Sequence, residues 1–240
     1  MVRVSLFHWL TGMLLLLVLL AIAAPGDAAP GARPAEFKAV GPEQLVYSWY
    51  SDRCDGQDTP DAPPRAFRDF KGQIHLFATH EANRALIGPD FDHLSHVCTI
   101  AYQGDHADDP SLFDDRQWLT SFFSKDGHRI FAIVHDEFHG YLRPRICPSR
   151  TYRSCWYNAL TFALSTDGGY TFQQPRPPTN LLAAPPYTYQ GDYGRPLGYF
   201  QPSNIVQQGR YFYFMFLAAG FRSQDRGICV ARTDNPADPR

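Results

Sequence analysis

An all-β fold is what this sequence predicts, and three observations carry the expectation. Helical periodicity is scarce along the 240 residues, whereas short runs of branched and aromatic residues recur: "AFRDF", "QIHLFAT", "VCTIAY", "WLTSFF", "RIFAIVH", "NALTFAL", "SNIVQ" and "RYFYFMFLA". Clusters of Gly, Pro and Asp separate these runs at turn-like spacing. One hairpin design also returns three times, an extended segment, a turn with Gly and an aromatic-rich strand: "RAFRDFKGQIHLFAT", "LTSFFSKDGHRIFAIV" and "SNIVQQGRYFYFMFL".

The elements follow in chain order. Residues 1–24 place Arg3 before a leucine-rich run, Met13 to Leu20, that passes into "AIAAPGDAA", the pattern of a secretory signal peptide. The apolar run is about half of the ~20 residues that cross a bilayer. The expectation is cleavage; an uncleaved anchor is the alternative, reached by counting back through "LFHWLTG". Residues 25–42 are rich in Ala, Pro and Gly and read as a linker. Residues 43–240 remain for one domain with one substantial core. A secreted or periplasmic location follows from the export signal, with no membrane association after cleavage.

Charge and cysteine content narrow the class. The 22 basic and 24 acidic residues leave no broad basic surface, which argues against a nucleic-acid partner. Export makes disulfides accessible to the five cysteines. Cys147 and Cys155 bracket the short polar loop "PSRTYRS", which a bridge would staple, and Cys54 and Cys98 can pair only through the fold. Cys229 is the odd thiol.

A second set of segments follows the three hairpins: "HVCTIAYQGDHADDP", "NALTFALSTDGGYTF" and "GICVARTDNPADP". Pairing the two sets gives three four-stranded units of roughly 50 to 80 residues, within the range of propeller blades. The predicted architecture is therefore a β-propeller with about three blades present. Three blades leave faces and edges open, so the expectation is a ring completed beyond Arg240; an open sandwich of the same strands is the alternative.

The stretch "STDGGYTF" sharpens this reading. Its two glycines permit positive φ, and an Asp before them can accept hydrogen bonds from turn amides. Ser165, Asp167, Gly169, Thr171 and Phe172 match the Asp-box pattern, so the chain resembles the Asp-box sialidases and the five-bladed glycoside hydrolases. In that family the box closes an outer hairpin away from the active site. The resemblance thus implies a structural Asp167, a carbohydrate substrate and hydrolysis of a glycosidic bond.

In a propeller the central channel is lined by the innermost strands and the loops entering them. Four polar clusters lie there. "TPDAPPRAFRDF" sets Asp61 and Arg65 before the first strand; it is similar to the sialidase region whose arginine grips a carboxylate and to the furanosidase start whose aspartate acts as base. "VHDEFHGYLRPR" is the most loaded, with His135, Asp136, Glu137, His139, Arg143 and Arg145. Its histidines have the spacing of a zinc helix, but Asp136 stands where that motif needs Glu, and the segment reads as a strand. Adjacent carboxylates on a strand point to opposite sides, so one faces the channel while the other binds backbone.

Glu137 is the expected general acid, its pKa raised by burial beside Asp136, with Asp136 and Asp61 as further catalytic candidates. "YQGDYGRPLGYFQPSN" supplies Asp192, Arg195, Tyr199 and Asn204 as a substrate wall. Arg65, His135 and Arg143 complete the binding candidates. "THEANR", with Glu81 and Arg84, resembles a sialidase strand ending and is secondary. No metal or cofactor is expected; the partner is carbohydrate, and the sequence leaves the oligomeric state open. A non-catalytic propeller that binds glycan or protein at the cell envelope is the competing reading.

Overall fold

A computed structural model describes residues 36, 38–78 and 80–236. The segment expected to be a signal peptide and most of the expected linker lie outside the described residues. The chain divides between residues 43 and 44, and every strand among the described residues lies in the second unit, 44–240. Among the described residues no helix is long and apolar enough to cross a membrane.

The fold is all-β. Strands β1 (Arg65–Arg68), β2 (Ile74–Phe77), β3 (Ala85–Gly88) and β4 (Ser95–His96) form a four-stranded antiparallel meander, the sheet form of a propeller blade. Strands β5 (Arg116–Phe123), β6 (Ile130–His139), β7 (Trp156–Ser165) and β8 (Leu181–Ala183) form a second meander. Strands β9 (Leu197–Phe200), β10 (Val206–Gln208), β11 (Tyr211–Ala218) and β12 (Gly227–Thr233) follow. The three expected hairpins are β1–β2, β5–β6 and β10–β11.

Three expectations are corrected. The third strand of the first sheet is "ALIG", not "VCTIAY": the latter meets Asn83 through an isolated bridge at Tyr102 and the Ala101 amide, while Arg84 Nε donates to Cys98 O at 3.1 Å. The third unit is not separate, because β9 runs parallel to β7 and antiparallel to β11, joining eight strands in one sheet. Finally, "LGYF" is a strand rather than loop. Gly198 makes that junction: its φ is +113°, and a Cβ there would lie 2.0 Å from Asn158 O.

Alternation along β6 divides the core. Ile130, Ala132 and Val134 pack with Phe77, Leu119 and Phe172 toward the first sheet, whereas Phe131 and Ile133 pack with Phe162, Ile205 and Phe214 toward β10 and β11. The Asp167 turn closes the first of these cores. Its carboxylate accepts from the amides of Tyr170 (3.0 Å) and Thr171 (3.1 Å) and from the Thr171 hydroxyl (2.6 Å), and the Ser165 hydroxyl donates to it at 2.7 Å. Gly169 has φ +95°, and a Cβ on it would meet the Phe67 ring at 2.3 Å, so this turn can dock on β1 only as glycine. Disulfides join Cys54 to Cys98 and Cys147 to Cys155, while Cys229 is free. Two disulfides suit an oxidising compartment such as the periplasm or the cell exterior.

Candidate functional site

The strand alternation that builds the core also builds a pocket. Continuing past Phe131 and Ile133, the same face of β6 presents His135, Glu137 and His139. The β5 register sets Trp118 opposite His135 and Arg116 opposite Glu137. With Asp61 and His80 from the first sheet's loops, these side chains line a pocket of about 440 Å³. Gln201 and Pro202 close one wall, and Tyr141, Tyr152 and Trp156 stand at another.

Glu137 is the centre of the polar array. Its carboxylate meets His139 Nε2 at 2.9 Å and His135 Nδ1 at 3.8 Å, with its side chain 14% exposed. Burial pushes its pKa up, but the His139 hydrogen bond and the fields of His135, His139 and His80 outweigh that and hold it below the usual glutamate value. The expected rise is therefore corrected: Asp136 points away, and histidines rather than a second carboxylate surround Glu137. Asp61 shifts the other way. Burial raises its pKa, His80 at 3.4 Å opposes, and the negative charges of Glu137 and Glu81 add to the rise. Mutual influence between Asp61 and Glu137 follows from their shared pocket, although 76 positions separate them in sequence.

His135 is buried, its Nε2 accepts from Asn158 Nδ2 at 3.2 Å, and burial lowers its pKa. His139 stacks face to face on Trp156, with ring centroids 4.5 Å apart. Arg116, the one arginine lining this pocket, is paired with Glu81.

The remaining predicted residues fall elsewhere. Asp136, fully buried, lies on the opposite face of β6, where it accepts from Asp115 N (3.1 Å) and Gln117 Nε2 (3.3 Å), and burial raises its pKa well above the usual range. Arg65 opens β1 and donates to Pro64 O at 3.1 Å without lining the pocket. Arg143 is held by both oxygens of Asp115 and by Asp108, each at 2.9 Å, which makes it a loop anchor. Arg145 is exposed.

In the expected substrate wall, Asp192 binds Gly194 N of its own turn at 3.1 Å, Arg195 donates to Gly220 O, Tyr199 packs on Phe216, and Asn204 is exposed. None of these four lines the pocket; lying near a strand in sequence does not decide which face a side chain takes. Arg84 is tied to Asp55 at 2.8 Å. Asp61, His135 and Glu137 are thus brought together, and the others are not.

No family model and no curated protein matches the chain. Among solved structures, it is similar to a sucrose-6-phosphate hydrolase from Lactobacillus gasseri (TM-score 0.49, 13% identity, 73% of this chain and 32% of that one). It is also similar to an endo-1,4-β-xylanase from Bacteroides thetaiotaomicron (TM-score 0.44, 13% identity, 72% and 50%) and an α-L-arabinanase from Cellvibrio cellulosa (TM-score 0.37, 11% identity, 75% and 72%). The chain spans half the length of the xylanase and about a third of the hydrolase. At such identities no residue correspondence is taken from them.

The residues missed in sequence have traceable signals. "RQWLTSFF" alternates Arg116, Trp118 and Thr120 onto one face, which follows once the strand is begun at Arg116 instead of Trp118. A metal-type grouping of Cys54, Asp58 and His96 also occurs, but Cys54 is bound in the disulfide to Cys98 and is no thiolate ligand.

Proposed function

We propose that this pocket hydrolyses a glycosidic bond in a neutral glycan. One observation carries the reading: two carboxylates from distant segments, Asp61 and Glu137, share one pocket, and their surroundings push their pKa values in opposite directions. Glycosidic cleavage asks for such a pair, one carboxylic acid to protonate the leaving oxygen and one carboxylate to act as nucleophile or to activate water. Asp61, raised, is the acid; Glu137, held ionised by His139 and His135, is the nucleophile or base. This exchanges the role first assigned to Glu137. The Asp-box hairpin remains part of the proposal as a structural turn.

The neutral character of the substrate follows from charge. Binding an acidic sugar would draw on free guanidinium groups, and Arg116 is already engaged by Glu81, while Arg65 and Arg143 lie outside the pocket. A binding-only propeller has no need for carboxylates tuned apart in this way.

Leaving-group dependence tests the roles. Asp61→Asn should slow release of a poor alcohol leaving group about 100-fold or more, yet release a nitrophenol, which needs no protonation, within about tenfold of wild type. Equal loss on both leaving groups contradicts Asp61 as the acid. Retention of nitrophenol release by Glu137→Gln, with loss by Asp61→Asn, reverses the two assignments.

A further inference from the structure

The pocket mouth carries an aromatic group that cleavage itself does not use. Glu137 touches His139, His139 stacks on Trp156, and Tyr152 stands edge-on to Trp156 (centroids 5.4 Å) and to Tyr141 (5.0 Å). Exposure grows outward along this series: Trp156 and Tyr141 are half-buried and Tyr152 is 59% exposed. Trp156 is engaged by the His139 ring and the Arg153 guanidinium, whereas Tyr152 is the exposed ring of the group.

Holding Tyr152 there is costly. It lies in the seven-residue span closed by the Cys147–Cys155 bridge, between Arg150 at φ +50° and Arg153 at φ +70°, both in the left-handed region that disfavours side chains. The span is further pinned from outside: Gly140 N donates to Cys155 O at 3.1 Å and Tyr193 N to Ser154 O at 2.8 Å. A strained, cross-linked loop that fixes an exposed aromatic at a pocket mouth has the makings of a ligand platform.

We infer that Tyr152 is a sugar-stacking subsite, fixed edge-on by Tyr141 and Trp156, and that the substrate is an oligosaccharide extending past the cleaved bond onto this ring. The inference rests on the glycosidic reading of the Asp61–Glu137 pocket. An amphipathic ring offers its face to the C–H surface of a pyranose or furanose and its hydroxyl to the rim water, a combination that suits a sugar better than a purely apolar ligand.

The test measures affinity by calorimetry for xylan- and arabinan-derived oligosaccharides of one to six units, in a Glu137→Gln background so that nothing is consumed. Affinity should rise with length beyond one unit. Adding Tyr152→Ala should lower the affinity of the longer chains about tenfold and leave that of the monosaccharide nearly the same, while Tyr152→Phe should restore the length dependence. Length dependence that survives Tyr152→Ala overturns the subsite alone. Absence of binding by every oligosaccharide, together with no hydrolysis by the wild-type chain, overturns the glycosidic reading and the subsite with it.

Discussion

The two faces of β6 make different uses of neighbouring carboxyl groups. Asp136 extends the face of Ile130, Ala132 and Val134 and accepts hydrogen bonds from Asp115 N and Gln117 Nε2. Glu137, one residue on, extends the face of Phe131 and Ile133 into a pocket and is met by two histidine rings. Desolvation acts on both, but only for Glu137 do a histidine hydrogen bond and the fields of neighbouring histidines outweigh it. Burial alone therefore makes a neutral structural acid; burial beside histidines makes an ionised group available for chemistry.

The sharpest way to break this comparison is to exchange the consequences of the two residues. Asp136→Ala should cost about 1–3 kcal/mol of stability, since it removes the acceptor from the buried amide of Asp115 and from Gln117, a loss read from urea denaturation. Asp136→Asn, close in shape to the protonated acid, should cost less than about 1 kcal/mol. The pH dependence carries a sign. With its folded pKa raised, Asp136 contributes its full stability below the unfolded carboxylate value, near 4, and loses it as pH rises toward the folded value. Relative to wild type, Asp136→Asn should gain stability as pH is raised, and a variant that loses ground with rising pH contradicts the neutral assignment.

A carboxylate outside the pocket sharpens the contrast further. Asp167 has its pKa lowered: burial raises it, but the hydrogen bonds from Thr171, Ser165 and the turn amides more than offset that. Its stabilisation is present above the unfolded value and lost as pH falls through the folded one. Asp167→Ala should cost about 1–3 kcal/mol at neutral pH, with the deficit shrinking below pH ~4, and should leave turnover per folded molecule the same. A fall in turnover without a fall in stability would move Asp167 from the turn into the chemistry.

The smallest expected effect concerns His80, whose charge lowers the pKa of Asp61. His80→Gln should move the alkaline limb of the rate profile upward, because Asp61 then holds its proton to higher pH. A downward move contradicts Asp61 as the proton donor.

How much of this was legible in the sequence depended on the range of the forces involved. The hairpins at β1–β2, β5–β6 and β10–β11 and the Asp167 turn are encoded locally, by glycines and by side chains that bond their own backbone. The four-residue strands β3 and β9 are not: "ALIG" and "LGYF" become strands because β2, β7 and β11 pair with them. Alternation on β6 separated Asp136 from Glu137 in principle, yet only the β5 register shows that Trp118 and Arg116 share the Glu137 side. Tyr152 was out of reach, since the Cys147–Cys155 loop and its positive-φ residues decide where that ring stands. Asp192, Arg195 and Asn204 misled because polar residues near a strand serve turns and loop anchors as readily as a pocket.

The most direct measurement compares reducing-end release from neutral plant polysaccharides by wild type, Glu137→Gln and Asp136→Asn, each normalised to folded protein. The account predicts that Glu137→Gln falls about 1000-fold or more while Asp136→Asn stays within about threefold of wild type. Equal losses in the two variants, or turnover by Glu137→Gln equal to wild type, would contradict it.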